Sequence, residues 1–411
     1  MRLAVVSPFL DRRHGTERCV VEQIERLARQ PGWEVHVYSQ RIEDLAVVRY
    51  SRGASPAPSG AIIWHRVCSI PGPHLLRFLW WFAANWLQRR FDVRFRSLRF
   101  DLVYSPGINC LDADAISVHI VFHEFVRLAR EELGLRHTPF RSWPRALHRK
   151  LYYRLIMRLE RRVYSNPRVR LAAISPLVVD QLASHFGRND ATIIFYGVQT
   201  EVFCPAARLA RHVPARQAFH FGAADFVLLL VGNDWKKKGL SCLIEALASC
   251  RDLPVFLLVV GSDDPRPYEA LVTRRQLKDR VQFAAPSADV AQFYAAADAY
   301  VGPSLEDAFA LPVLEAMACG LPAIASGQSG VAGIITDGVD GFVLCDPRDA
   351  EGLARLIRLL YEQPDLRRAI GERAARTAQR YTWERNAAQT LAFLTAALTD
   401  KHASQTRMKN T

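Results

Sequence analysis

The chain has 411 residues, half of them hydrophobic, enough for two packed domains and too apolar for global disorder. Lys and Arg number 54 against 41 Asp and Glu, and the formal charge of +13 favours anionic partners such as nucleic acid, anionic lipid or phosphorylated substrates. Eight scattered cysteines with no C-x-x-C pair argue against a disulfide framework and a zinc site, and for a reducing compartment.

The first apolar run, Leu3 to Val6, is short and leads into Pro8, as a first β-strand does and a secretion signal does not. Short apolar, β-branched runs then alternate with helical patterns. In the first half strands are predicted at Arg2–Ser7, Glu34–Ser39, Ala61–Arg66, Leu102–Ser105, Ala115–Phe122, Leu171–Ile174 and Thr192–Phe195. In the second half they are predicted at Phe226–Val231, Val255–Val260, Val281–Phe283, Ala299–Val301 and Pro322–Ala325, with helices between, such as Glu17–Arg29 and Ser241–Ser249. Leu75–Leu87 is the nearest candidate for a membrane span. It is shorter than the roughly 18 residues required and carries Arg77, so it reads as a buried helix or a surface-lying one.

This alternation predicts an α/β protein with parallel sheets covered by helices on both faces. The pattern restarts at Phe226, so two doubly wound domains are expected: 1–197 and 217–380, joined by a linker and its flank over 198–216. A C-terminal helix over 381–399 and a frayed polar tail over 400–411 follow. Ligands bind beyond the carboxyl ends of such strands, so two sheets facing across a cleft would place the chemistry there.

The segment Ser304–Gly320, SLEDAFALPVLEAMACG, sets acids before a Phe-x-Leu-Pro turn and a helix. Pro312 suits a helix start, and amides around Phe309, Ala310, Leu311 and Val313 would form a phosphate-attracting N-terminus. Glu315, one turn on, could accept two hydrogen bonds from a ribose; the alternative is that it serves only the dipole of its own helix. Lys236, Lys237 and Lys238 follow the first strand of the second half, at the carboxyl end where ligands bind. The alternative there is a solvated lysine cluster.

These segments together resemble family 4 of the retaining glycosyltransferases, proteins of the GT-B fold. The family's Glu-Gly-Phe-Gly-Leu-Pro-x-x-Glu-Ala-Met is matched at Phe309, Leu311, Pro312, Glu315, Ala316 and Met317. Asp307 stands at the first acid, with Glu306 adjacent, and Ala308 and Ala310 replace the two glycines. VGNDWKKKG, residues 231–239, resembles the family's Lys-Gly loop, with Lys238 at the diphosphate-contacting lysine and Asn233 where an arginine is usual. FYGVQTEVFCP, residues 195–205, resembles the family's linker, and His14-Gly15-Thr16-Glu17 its Gly-Gly-x-Glu loop, in which Gly15 would let donor phosphates approach. His119 falls where members often carry a His or Asp near the reacting sugar; His123 competes for that place, and a satisfied core histidine is the alternative. Within the family, the lysine loop is similar to that of glucosyltransferases of the lipopolysaccharide core.

The resemblance implies a hexosyltransferase working with retention from a nucleotide sugar, UDP-glucose or a relative, onto a glycan or glycolipid acceptor. His119, Asp307 and Lys238 would be catalytic, and Gly15, Lys237, Lys238, Phe309, Ala310, Leu311 and Glu315 donor-binding. The family generally manages without a metal, so no cofactor and no metal are expected; Asp112-Ala113-Asp114 matches a D-x-D motif of another fold only superficially.

Nine Lys or Arg stand against one acid between Arg136 and Arg162, interleaved with aromatics. Arg145, Arg149, Lys150, Arg154 and Arg158 are read as contacts to an anionic membrane surface, the alternative being a solvated face. No nucleic-acid module is recognised, so nucleic acid is not expected as a partner. The expectation is a cytoplasmic protein, peripheral on the inner face of the membrane. The competing reading is a degenerate, membrane-associated binding protein that keeps a glycosyltransferase-like cleft.

Overall fold

Phe226–Val231 and Val255–Val260 are apolar at nearly every position, as strands covered on both faces are, and both form strands over those residues. The structure, a computed structural model, describes residues 1–50, 60–128 and 143–409. The chain divides into two units, Met1–Phe195 with Glu384 onward, and Tyr196–Trp383.

The first unit carries strands β1 (Arg2–Val6), β2 (Phe9–Leu10), β3 (Glu34–Ser39), β4 (Arg41–Ile42), β5 (Val48–Arg49), β6 (Ile62–Arg66), β7 (Leu102–Pro106), β8 (Ala115–Val118), β9 (Arg170–Ala173) and β10 (Thr192–Ile193). Its helices are α1 (Gly15–Ala28), α2 (His74–Phe95), α3 (Phe122–Leu128), α4 (Trp143–Tyr164) and α5 (Pro176–Phe186). Eight strands form one sheet in the order β10-β9-β8-β7-β1-β3-β6-β5, while β2 and β4 pair separately. Every pairing is parallel. From β1 the chain winds one way through β3 and β6, then restarts on the other side at β7. The switch point therefore lies between β1 and β7.

The second unit runs α6 (Pro205–Ala218), β11 (Phe226–Val231), α7 (Leu240–Ala248), β12 (Val255–Val260), α8 (Arg266–Arg274), β13 (Val281–Ala284), α9 (Ala291–Ala296), β14 (Ala299–Gly302), α10 (Leu311–Ala318), β15 (Ala323–Ser326), β16 (Phe342–Leu344), α11 (Ala350–Glu362) and α12 (Pro364–Ala378). Its sheet order, β13-β12-β11-β14-β15-β16, is again all parallel and switches between β11 and β14. Leu228, Leu230, Leu257 and Val259 pack against Leu243, Ile244, Leu353 and Ile357 in one core. A last helix, α13 (Trp383–Lys409), sets Phe393, Leu394 and Ala397 into the core of the first unit.

Several boundaries differ from the sequence expectation. The stretch read as a linker, 198–216, lies in the second unit and carries most of α6. Pro205 starts that helix, Cys204 accepts the amide of Ala207, and Pro214 sits inside it, hiding the periodicity. The C-terminal helix does not end at 399. Asp400 pairs with Arg170, and Lys401 reaches Asp114 and the carbonyl of Asp101, so the polar tail remains helical through Lys409. The run Ala115–Phe122 is strand only to Val118, and α3 begins at Phe122.

Candidate functional site

At the switch point of the second unit two loops meet. The loop after β11 begins at Gly232, whose φ of 137° is open to glycine; an added Cβ would stand 3.1 Å from Lys238 Cε. Gly239, at φ 75°, ends the loop with no room for a Cβ, which would lie 2.0 Å from the carbonyl oxygen of Pro303. These two glycines fix the course of the Lys238 side chain. Asn233, where the family pattern has arginine, instead accepts the amide and hydroxyl of Ser262 through Oδ1, tying the loop to the end of β12. Lys237 carries its ammonium 3.5 Å from Asp234, and its carbonyl accepts the amide of Leu305 in the opposite loop.

That opposite loop follows β14 and is organised by Asp307. Its Oδ1 accepts the amides of Phe309 (3.1 Å) and Ala310 (2.8 Å), and its Oδ2 accepts Lys238 Nζ in an ion pair whose two side chains are both largely buried. Backbone bonds join Asp307 to Gln328 and Gly330, and Phe309 to Val331, so Ser326–Gly330 frames this loop. Asp307 is thus the acid that holds the lysine.

The amides expected to attract phosphate are mostly spent. Those of Phe309 and Ala310 go to Asp307, Val313 donates to the carbonyl of Ala310 at 3.0 Å, and Pro312 has none. Leu311 keeps the one amide of that stretch without a bonded acceptor among the described residues. The expectation of an amide-rich phosphate cradle is corrected on this point. A carboxylate one residue outside the turn takes these donors, as an N-cap does.

Glu315 lies on the second turn of α10, 4% exposed, with Oε2 accepting the hydroxyl of Tyr294 at 2.8 Å. Burial, reinforced by the carboxylate of Glu315, pushes the Tyr294 phenol far above its ordinary range, so it stays a donor. Tyr294 stacks in turn on Tyr300, whose hydroxyl reaches the carbonyl of Val231. The sequence reading did not single out these tyrosines; nothing in their spacing marks them.

In the first unit, Gly15 opens α1, and an added Cβ would meet nothing within 4 Å. His14 before it is held by Asp11, whose carboxylate accepts both backbone amides of Arg13 and His14 as well as the His14 ring. Burial would raise the Asp11 pKa, but these bonds bring it below the usual range. His119 follows β8 and is 6% exposed. Its Nε2 lies 2.8 Å from Ser117 Oγ, and burial alone lowers its pKa to about 3, so the ring is neutral. Tyr104, Gln23 and Asn386 continue that polar chain to the carbonyl of Phe195. His123 points elsewhere, onto the buried carboxyl of Glu160 at 2.7 Å.

The D-x-D acids are both engaged structurally. Asp112 takes a bidentate bond from Arg89, and Asp114 accepts Lys401 and the amide of Val103. Of the basic segment, Arg136, Arg141 and the side chain of Arg145 lie outside the described residues; Arg149, Lys150, Arg154 and Arg158 are exposed on α4. No described helix is long and apolar enough to cross a membrane.

Two all-parallel doubly wound sheets, one with a lysine and a carboxylate meeting at its switch point, define the GT-B class of α/β protein. Family models agree: "Glycosyltransferase Family 4" matches residues 13–202 and "Glycosyl transferases group 1" matches 215–377. The chain belongs to this glycosyltransferase family. It is 36% identical over 151 residues to lipopolysaccharide glucosyltransferase WaaG of Escherichia coli (strain K12), covering 36% of this chain and 40% of that protein. It is 32% identical over 241 residues to D-inositol 3-phosphate glycosyltransferase of Arthrobacter sp. (strain FB24), covering 56% of each. The matches thus span about half the length of these curated relatives. The crystal structure of WaaG superposes with a TM-score of 0.70 at 22% identity, over 92% of this chain and 95% of that one. Anabaena HepE in complex with UDP and glucose gives 0.69 at 20%, over 96% and 100%. At these identities the superpositions speak for the fold.

Proposed function

We propose that the protein transfers a hexose, glucose, from a UDP-linked donor to a sugar hydroxyl of a lipopolysaccharide-core or related cell-envelope glycan, with retention and without a metal. The observation that carries this reading is the Lys238–Asp307 pair at the carboxyl ends of β11 and β14. The names of WaaG and of HepE with UDP and glucose support the donor, and WaaG the acceptor.

In this reading a donor diphosphate draws Lys238 from Asp307, and the ammonium stabilises the negative charge that builds on the leaving group. Leu311 adds its amide, Lys237 a second cation, and Glu315 accepts the ribose beside Tyr294. The C–O bond between the anomeric carbon and the diphosphate breaks as the acceptor oxygen bonds to that carbon from the same face; the acceptor proton leaves with the diphosphate. His119 serves as a neutral hydrogen-bonding group for a sugar hydroxyl. Gly15 leaves space for the donor phosphates.

The exposed cations of α4 and the apolar outer face of α2 support seating at an anionic membrane surface on the cytoplasmic side. The test is donor binding and turnover with UDP-glucose in Lys238→Ala and Glu315→Ala. Each is expected to cut turnover at least about a hundredfold, the scale of a lost transition-state donor. Near wild-type rates in both would sink the mechanism.

A further inference from the structure

α3 and α4 enclose a groove lined by His123, Arg154, Met157, Arg158 and Arg161. The three arginines recur at four- and three-residue spacing, so they share one face of α4. Several guanidiniums elsewhere in the chain meet carboxylates: Arg89 meets Asp112, Arg188 Asp190, and Arg358 Asp252. In the groove, Arg154, Arg158 and Arg161 have no acidic partner among the described residues. Three like charges on one helix face repel one another, a cost that an anion lying among them removes.

The fourth wall is set from behind. Glu160 is fully buried; its Oε1 accepts the amide of Phe122 (2.7 Å), and its Oε2 accepts the amide of His123 (3.0 Å) and His123 Nδ1 (2.7 Å). Fixing Nδ1 fixes the ring and leaves Nε2 as the atom that can serve a ligand. Burial pushes the Glu160 carboxyl up to about 7, and Arg161 and His185, after burial, lower His123. An entering dianion favours the imidazolium, which would then donate through both nitrogens.

We propose that this groove binds a phosphomonoester dianion, gripped by the forked guanidiniums of Arg154, Arg158 and Arg161 and by His123 Nε2. Guanidinium matches phosphate geometry through paired N–H donors, which an ammonium cannot do. The inference deepens the acceptor and membrane side of the reading above and rests on it only for what carries the phosphate. Two carriers present the same chemistry, a phosphorylated sugar or a phosphatidate headgroup.

The experiment titrates inorganic phosphate into full-length protein labelled with ¹⁵N-histidine and follows the His123 ring, assigned by its loss in His123→Gln. A saturable shift is expected. Arg158→Lys with Arg161→Lys, exposed positions that keep the charge, is expected to weaken it at least about tenfold. No shift, or an unchanged affinity in the lysine variant, overturns the proposal. Phosphatidylcholine vesicles carrying phosphatidic acid, or phosphatidylglycerol at equal charge, separate the carriers. A phosphatidate preference lost in the lysine variant identifies the lipid. Equal adhesion to both, with glucose 6-phosphate outcompeting inorganic phosphate at His123, identifies a sugar phosphate. UDP binding is read in parallel: its absence would sink the transferase reading without touching the His123 result.

Discussion

Ala310 stands at φ 67° and ψ 61°, the left-handed region, as the residue before α10. A Cβ there costs about 1–2 kcal/mol. Three bonds over-determine the conformation: its amide to Asp307, its carbonyl from Val313, and the amide of the preceding Phe309 to the same carboxylate. Ala310→Gly should relieve the strain, less the extra chain entropy glycine brings, for a gain of about 0.5–1 kcal/mol in urea unfolding. A loss of stability would show that the position is not strained. This feature was half legible. The family pattern has glycine at position 310, so the substitution marked the place, but only the backbone shows that alanine keeps the glycine conformation. Asp307 is the converse case. The motif's spacing puts Asp307 at the first acid with Glu306 beside it, whereas its capping of the loop, which removes the amides from phosphate duty, depends on a turn the sequence does not display.

At the scale of elements, α2 is turned inside out. Its inward face carries Trp81 and three polar residues, Asn85, Arg89 and Asp92, while Leu76, Leu79, Leu87, Phe91 and Phe95 are exposed. Most of the polar face is paired, Arg89 Nε being the buried donor left without an acceptor among the described residues. Arg89 bonds Asn85 and Asp112, and Asp92 accepts Tyr38 at 2.6 Å and Arg96. The alternative of a buried apolar helix is therefore set aside: a hydropathy pattern gives the stripe but not which side faces the sheet, and here the buried hydrogen bonds decide. Because the apolar face makes little contact, Leu76→Ser, Leu79→Ser and Leu87→Ser together should leave stability within about 0.5 kcal/mol per site. The same triple variant should reduce sedimentation with anionic vesicles at least about tenfold, since each leucine gives up apolar burial in the interface. Unchanged sedimentation would remove α2 from the membrane reading. The continuous strands of both sheets were legible because both faces are buried. The start of α3 was not, since Phe122 and His123 give their amides to Glu160, 38 and 37 residues away.

At the scale of the whole molecule, the charge that burial suppresses is unevenly shared. The buried histidines among the described residues, His36, His65 and His119, all belong to the first unit. Burial, with help from His65, lowers His36 to about 4, and burial lowers His119 to about 3, against an ordinary value of about 6.5. On unfolding these rings take protons first, so their contribution is complete above about pH 6.5 and is lost as pH falls towards the folded values. Glu160 works in the opposite sense: raised to about 7, it takes its proton first in the folded state, and its contribution is complete in acid and lost as pH rises through 7. Between about pH 6.5 and 4.5 His36 and His119 add two protons to the unfolded first unit against one that the native unit gains at Glu160, and His74 and His123, also lowered chiefly by burial, add to the unfolded side in the same sense. The net is at least about one proton, and stability should fall in acid by at least on the order of 1 kcal/mol per pH unit. His119→Asn removes one of these histidines and should make the slope shallower by about one proton's worth. The measurement is urea unfolding of the full chain across that range, with the slope, not the midpoint, as readout, so a variant destabilised at neutral pH still answers. A slope as steep in His119→Asn as in the parent would mean that His119 is not held neutral by the fold.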